Sequence, residues 1–483
     1  MLNSTTTIQK IQGFKKGKTT KFSFSKTFIL AIALLFLGKN VSNAQLTATG
    51  QIRERTEARG GFGTLLQDGK RGALFNSQRT RLNVGYAGYR YKIYASLQDV
   101  RVFGQDASTI NRTTTDANDG LLLHEAWADL SLIDTLSKIQ NLSLKIGRQE
   151  ISYDDQKVLG GLDWLQQARR HDAIILKYAN KGWVADFGVA FNQKPTLNSA
   201  GQYVEPNSGT TYNGQPLPAT YPAGTNGIGH AYKSFQYAYI GRKFFFGDMS
   251  FLFFKDDFSK FTGTVAAPTI IEGVNARTTT GIYYNVNPTR KLNLNGSFYY
   301  QGGHDKLGKT ISAKLGSITA TYLVNRKLFL GAGADYLSGT NGTTAATQNN
   351  QFDPLYGTPH KFWGYMDYFY VASPFGAQGL LNYFAKAKYV ASDKTTLFLD
   401  VHGFESAAKL AGGLNKYLGT ELDFKVNYKY TKVINLEAGY SVMAAKKTLA
   451  SAAVKNVVNP KLTAQWAYVM LNITPNFLNP KKM

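Results

Sequence analysis

Cysteine is absent from the 483 residues, which excludes a disulfide scaffold, a thiolate metal site and a cysteine nucleophile. Charge is scarce: 18% of residues are Asp, Glu, Lys or Arg, below the roughly 25% of a soluble domain. Long apolar runs are missing as well. Beyond residues 28–37 none approaches the ~18 residues that a membrane-crossing helix needs, so a helical membrane protein is excluded. Histidines number six and no two stand at i,i+4 spacing. His124-Glu125 opens as a zinc-protease motif does, but Ala128 occupies the place of the second His. Asp116-Ala117-Asn118-Asp119-Gly120 lacks the closing Glu of a calcium loop and reads as a solvated turn. Asp154-Asp155 and Asp256-Asp257 read as solvated loop acids. Neither an enzyme nor a metal site nor a cofactor is expected.

What is abundant is Tyr (29), Phe (30) and Gly (47). The first 44 residues stand apart. Lys10, Lys15, Lys16, Lys18, Lys21 and Lys26 precede the apolar run, and Ser42-Asn43-Ala44 supplies the small-x-small site of a secretory signal, with the mature chain over 45–483. Gly13–Thr19 has three residues between its glycines where a phosphate-binding loop needs four, and no strand precedes it. The signal holds seven of the 55 basic residues and no acid, so the mature charge is (55 − 7) − 31 = +17. That excess lies at alternating positions along the whole chain. A nucleic-acid binder would gather it on one face or in a tail, so no nucleic-acid partner is expected.

From residue 45 onward the chain alternates apolar and polar with period two. In 418–429, Leu418, Thr420, Leu422, Phe424, Val426 and Tyr428 oppose Gly419, Glu421, Asp423, Lys425, Asn427 and Lys429. Eighteen such segments predict strands near 46–59, 75–88, 89–103, 120–132, 141–151, 164–179, 182–193, 233–244, 247–258, 275–286, 290–302, 309–322, 326–338, 379–391, 394–405, 416–430, 432–443 and 462–474. Short and long connections alternate, the longest being 194–232 and 339–378. An even strand number with one-sided long loops predicts an all-β fold: a transmembrane antiparallel barrel in the Gram-negative outer membrane, with short periplasmic turns and lipid as its surroundings. The barrel must close, because an open sheet edge has no hydrogen-bond partners in lipid. Paired β-sandwiches also alternate, but they do not explain one-sided loops or aromatic strand ends such as Phe244-Phe245-Phe246. The pattern is the same for one barrel or three and leaves the oligomeric state open.

With lipid on the apolar parity, the early strands aim cations inward: Arg53, Arg55, Arg59, Arg79, Arg81, Arg90, Lys92, Lys145, Arg169, His171 and Lys177. Glu57, Glu125, Asp129, Asp186, Glu421 and Asp423 are the counter-charges, and most of the arginines are expected to pair with acids on neighbouring strands. Strict alternation sends Arg148 and Arg170 toward lipid, so either they lie beyond the hydrocarbon or a bulge turns them inward. Such a lumen favours anions. The rival reading is a sealed barrel acting as a surface receptor or adhesin through its long loops. Residues 352–370, crowded with Trp363, Tyr365, Tyr368 and Phe369, are expected to pack onto the barrel rim or to stack sugar faces.

Several segments together resemble the alginate export family of outer-membrane proteins. They are Gln78-Arg79-Thr80-Arg81-Leu82, Leu97-Gln98-Asp99-Val100-Arg101, His124-Glu125-Ala126-Trp127, Gly147-Arg148-Gln149-Glu150, Gly160-Gly161-Leu162-Asp163-Trp164 and Ala168-Arg169-Arg170-His171-Asp172. Phe352–Thr358 with His360-Lys361-Phe362 is similar to one branch of that family. The resemblance implies an eighteen-stranded barrel with an arginine-rich constriction that passes an anionic uronate polymer. Matched by motif, the implied arginines are Arg53, Arg55, Arg79, Arg81, Arg101, Arg148, Arg169 and Arg170. The expected partners are anionic saccharides or other small anions.

Overall fold

The structure is a computed structural model that describes residues 45–104, 121–134, 139–191, 232–264, 267–341, 347–369 and 377–478, plus four two-residue strands between 196 and 216. Residues 1–44, the 116–120 loop and nearly all of 194–232 lie outside the described residues. Eighteen long strands are described: β1 (Gln45–Gly60), β2 (Ala73–Gly88), β3 (Tyr91–Val102), β4 (Leu122–Ser131), β5 (Asn141–Gln149), β6 (His171–Asn180), β7 (Trp183–Phe191), β8 (Ser234–Phe244) and β9 (Gly247–Thr264). They continue through β10 (Ala267–Val286), β11 (Leu292–His304), β12 (Thr310–Leu323), β13 (Leu328–Leu337), β14 (Leu380–Val390), β15 (Thr395–Glu405), β16 (Tyr417–Lys429), β17 (Ile434–Ala445) and β18 (Thr463–Ile473). Each pairs antiparallel with its sequence neighbours, and β1 pairs with β18 from Ile52↔Ile473 to Gly60↔Gln465, so the barrel is closed.

Burial is inverted relative to a soluble protein. Ile52, Ile93, Phe187, Ile282, Phe298, Ile318 and Val469 are exposed on the outer face. Arg53, Arg79, Asp186, Gln301, Glu421 and Asp423 are buried inside. Alternation along each pleated strand forces this division, and lipid makes the outer half favourable. Tyr89, Tyr91, Trp183, Phe244–Phe246, Tyr389 and Tyr430 crowd the outer face at the short-turn end, where an aromatic girdle belongs.

Seven short turns lie at that end: 89–90, 181–182, 245–246, 287–291, 324–327, 391–394 and 430–433. Connections at the other end are mostly long, and two of them, 150–170 and 338–379, fold into the barrel. Two boundaries differ from expectation. The strand expected from residue 164 begins at His171, because 164–170 belongs to an infolded loop. The loop expected over 259–274 is instead a continuation of β9 and β10, whose hairpin carries a bulge at Ser259/Phe261.

The parity yields a test. Ile318 faces outward near mid-strand, and its chain neighbour Thr319 takes the inward parity. Ile318→Arg should cost ~2–4 kcal/mol of folding stability in bilayer-embedded protein, as an outward Arg does at mid-depth. Thr319→Arg should cost far less, and urea titration of the two variants reads the contrast.

Candidate functional site

The site is built where β1 and β2 present guanidinium groups to the infolded loop 150–170. Arg53, Arg55, Glu57 and Arg59 share the inner parity of β1, as do Arg79 and Arg81 on β2, with Arg53↔Arg79 directly opposite in register. So many like charges on adjacent strands must find counter-charges or acceptors. They find them on the loop, whose residues 162–168 make two successive turns, with Leu162 and Ala168 at positive φ. Those turns aim a run of carbonyls, and the Asp163 carboxylate, at the wall.

Arg79 grips Asp163 bidentately, Nη1 to Oδ1 at 2.8 Å and Nη2 to Oδ2 at 3.2 Å. Arg53 donates to the Asp163 carbonyl at 2.8 Å, to the Leu165 carbonyl at 3.1 Å and to Gln166 Oε1 at 2.9 Å, and its Nη1 lies 3.3 Å from Asp163 Oδ2. Arg55 donates to the Trp164 carbonyl at 2.7 Å and lies 4.2 Å over the Trp164 ring. Arg81 reaches Asp163 at 3.5 Å and Gln98 Oε1 at 2.6 Å. Glu57 takes Arg55, Arg59 and the Trp466 indole N–H. Five guanidiniums thus grip two carboxylates, with Glu125 and Glu150 near enough to act on Arg81. Asp163 is 58% exposed at its side chain, while Arg53 and Arg79 are 5% and 1% exposed. Enclosure by the wall pushes the Asp163 carboxyl up, but Arg79, Arg53 and Arg81 outweigh it and hold it below the usual carboxylate range.

Loop 338–379 is the second infolded segment. Its start docks on β9–β11: Arg277 pairs with Asp256 and with Asp353 at 2.7 Å, and Tyr356 donates to Asp256 at 2.9 Å. Its later part docks on β16, where Met366 N–H donates to Glu421 and Tyr365 N–H to Asp423. The two loops are zipped together. Gly160 N–H donates to the Tyr356 carbonyl, Tyr356 N–H to Val158 and Thr358 N–H to Gln156, at 2.8–3.0 Å. Gly357 is required there, since a Cβ would stand 2.0 Å from the Lys157 carbonyl oxygen. Across the seam Trp164 stacks on His360 at 4.2 Å and 6°, and His360 on Tyr365 at 5.3 Å. The lumen is therefore narrowed by a bridge of two loops held to the wall by buried polar contacts.

Several sequence expectations need correction. Arg90 lies in a short turn with φ 64°, exposed at the barrel end and not in the lumen. Arg101 takes the outward parity of β3 and pairs with Asp99 at 2.6 Å. Arg148 is also on the outer face, where it grips its cross-strand partner Asp172 at 2.8 and 2.9 Å; pairing, not a bulge, accommodates it. Arg169 is buried as a staple between the loops, donating to Gly357 at 2.7 Å and Gly160 at 3.3 Å. Arg170 is half-buried beside it on the same loop and donates to the Gln167 carbonyl. His171 is enclosed by Tyr232, Phe235 and Tyr356 and meets the Tyr232 hydroxyl at 2.9 Å. Asp256 and Asp257 are buried wall residues, and Asp154 accepts from Tyr239 and Ser250 at 2.8 Å. The aromatics of 352–369 pack inside the barrel, not on its rim.

Farther toward the short turns, Lys145 lies 3.9 Å over Trp127, Lys177 pairs with Asp186 at 2.7 Å, and Lys92 stands exposed on the inward parity of β3. Lys386, 3.2 Å from Asp400, and Lys425, over Phe398, join them on β14 and β16; sequence reasoning puts Lys425 on the polar face of 418–429 without counting it among the pore cations, and misses Lys386, which sits at inward parity. The gripping role of Asp163 was also missed. Its signal was the lapse of alternation after Gly160-Gly161.

The loop contacts generate two expectations. Asp163→Asn removes the one carboxylate shared by Arg53, Arg79 and Arg81, so hydrogen exchange over 156–168 should quicken while the barrel strands keep their protection. Asp154 is pushed up to about 6 by burial. An acid raised on docking favours the docked loop at low pH, and that advantage is lost as pH rises from about 4 through 6. Opening of residues 151–156 should therefore be about tenfold more frequent at pH 7.5 than at pH 5. Asp154→Asn should abolish the difference.

Residues 44–213 match the alginate export family, a span that holds β1–β7, the arginines on β1 and β2, and the loop they grip. No curated protein matches the sequence. Among solved structures, Pseudomonas aeruginosa OpdQ aligns over 89% of this chain and 98% of its own at 13% identity and TM-score 0.53. Pseudomonas aeruginosa OccK8 (OprE) aligns over 90% and 98% at 11% identity and TM-score 0.55. Acinetobacter baumannii OccAB2 aligns over 91% and 100% at 12% identity and TM-score 0.55. The chain folds as a closed, eighteen-stranded β-barrel like those of these outer-membrane structures, and over residues 44–213 it matches the alginate export family.

Proposed function

We propose that this barrel is a passive pore for anionic solutes, with uronate-type saccharides as the favoured class. The observation that carries the reading is the charge imbalance beside the infolded loop, where five guanidiniums grip two carboxylates and only Glu125 and Glu150 add negative charge near Arg81. In a water-filled passage between low-dielectric walls, such an imbalance lowers the entry barrier for anions without direct contact. The buried arginines set the potential and hold the loop that fixes the width. Partly exposed Lys177 and Lys386, with half-buried Lys145 and Lys425, are the groups a passing carboxylate meets. The match of residues 44–213 to a family described by alginate export supports the same solute class. Neither energy coupling nor a cofactor is needed for diffusion down a gradient.

Reversal potential across a planar bilayer under a tenfold KCl gradient tests this directly. The expected anion-to-cation permeability ratio is above unity, falling below it when Lys145, Lys386 and Lys425 are replaced by Glu. Oligouronates should block the current where neutral oligosaccharides of equal length do not. A cation-selective wild type would sink the mechanism. Absence of any conductance would favour a sealed barrel that acts as a receptor.

A further inference from the structure

The short-turn end of the barrel is strongly one-signed. The seven short turns together hold eight basic residues (Arg90, Lys181, Arg290, Lys291, Arg326, Lys327, Lys394 and Lys432) and one acid, Asp393. None of these eight makes an ion pair with a described residue. Lysines at the adjoining strand ends point into the mouth. Lys243 on β8, Lys388 on β14 and Lys429 on β16 all take the inward parity and are exposed, and Lys388 lies over the inward ring of Phe329. Among the basic residues of these strand ends Arg242 takes the outward parity, nested against Trp183 and Phe244. Asp248, across from Lys243, Asp129, across from Lys92, Glu437, across from Asn427 between Lys425 and Lys429, and Asp134 in the 132–140 connection are the nearby acids.

The lysines also form a path. On β14 Lys388 is followed by Lys386 on the same face, and on β16 Lys429 by Lys425, whose ammonium lies 5.4 Å over Tyr365 of the infolded loop. Same-face neighbours on a strand are roughly 6.7 Å apart, so the β14 lysines are one such step apart and the β16 lysines, with Asn427 between them, two. Each rail therefore runs from the rim to the narrowed zone. Lysine suits such a track, because a compact, hydrated ammonium attracts carboxylates without the bidentate hold of a guanidinium. At the long-loop end Lys455 and Lys461 are engaged by the 61–72 loop.

We infer that the short-turn mouth is a collecting collar that captures a linear, carboxylated polysaccharide from the periplasmic side and feeds it along the β14 and β16 lysines. The solute class rests on the proposed pore function; the collar itself does not. An anionic phospholipid headgroup is the competing occupant, but the inward parity of Lys243, Lys388 and Lys429 favours a ligand in the mouth, and the outer rim there is aromatic.

The experiment compares the full barrel with its Lys243→Gln, Lys388→Gln, Lys429→Gln variant, using a fluorescent polyuronate and detergent-solubilised protein. Anisotropy should show salt-sensitive binding that weakens at least about tenfold in the variant. In bilayers with oriented insertion, oligouronate added on the short-turn side should block at least about tenfold more often than from the long-loop side at low salt, with the ratio collapsing at 1 M KCl. Equal blocking rates from both sides, or polymer binding unchanged in the variant, would overturn the collar. Unchanged polymer binding with reduced retention of phosphatidylglycerol would reassign these lysines to lipid. Variant-sensitive binding without any conductance would keep the collar and sink the pore reading.

Discussion

The interior of this barrel depends on one constraint: guanidinium groups on adjacent strands cannot be enclosed without acceptors. Arg53 and Arg79 stand opposite each other on β1 and β2, with Arg55 and Arg81 one step along. Across a strand pair that arrangement is repulsive, and Glu57 answers only Arg55 and Arg59. The remaining demand is met by a loop from the far side of β5, which presents Asp163 and four consecutive carbonyls, 163 through 166. Once that loop is drawn to the wall, its other face becomes a surface on which loop 338–379 can pair and stack. The bridge across the lumen follows from the arginines, not from the barrel.

This division explains why a charge-rich lumen can also be a rigid one. Buried ion pairs add little net stability over an apolar core, but losing one partner is costly, commonly ~3–5 kcal/mol. Arg277 between Asp256 and Asp353 is the clearest case: it is enclosed, it serves β9 and the loop at once, and no water can replace a lost carboxylate easily. Asp163 differs because it is open to the lumen. Its grip is the part of the bridge that a solute carboxylate could compete for, since the competitor would meet the same three arginines.

The fold was legible because period-two alternation is dictated by the pleat and sharpened by lipid. In 418–429 every second residue is forced, and all eighteen expected strands are present. The site was only half legible. Parity placed Arg53, Arg55, Arg79 and Arg81 on the inner wall, but parity cannot say what they touch. Their partners lie 82 to 113 residues away, on a segment whose turns are fixed by those contacts. The same dependence misread 164–170 as strand, since Trp164, Leu165 and Ala168 look apolar enough to face lipid until the loop is seen to pack inside. Arg101 and Arg148 were assigned to the pore by motif resemblance. Alternation had already placed Arg148 outside, and the carboxylates of Asp99 and Asp172 make an outer-face arginine tolerable at the long-loop rim.

Arginine and lysine divide the work along the barrel axis. Arginines fill the enclosed zone because a planar fork can satisfy several carbonyls and a carboxylate at once, as Arg53 does with five acceptors. Lysines fill the open half, where a hydrated point charge keeps its water and releases an anion readily. Conduction needs binding strong enough to admit a solute and weak enough to let it leave. A lumen with forks throughout would hold carboxylates, whereas a single buried ammonium, Lys157, suffices to tie its loop to Asp335 on β13 at 3.5 Å. The order on the inward strand faces, lysines in the open half and mainly arginines behind the loops, satisfies both requirements with a single sign of charge.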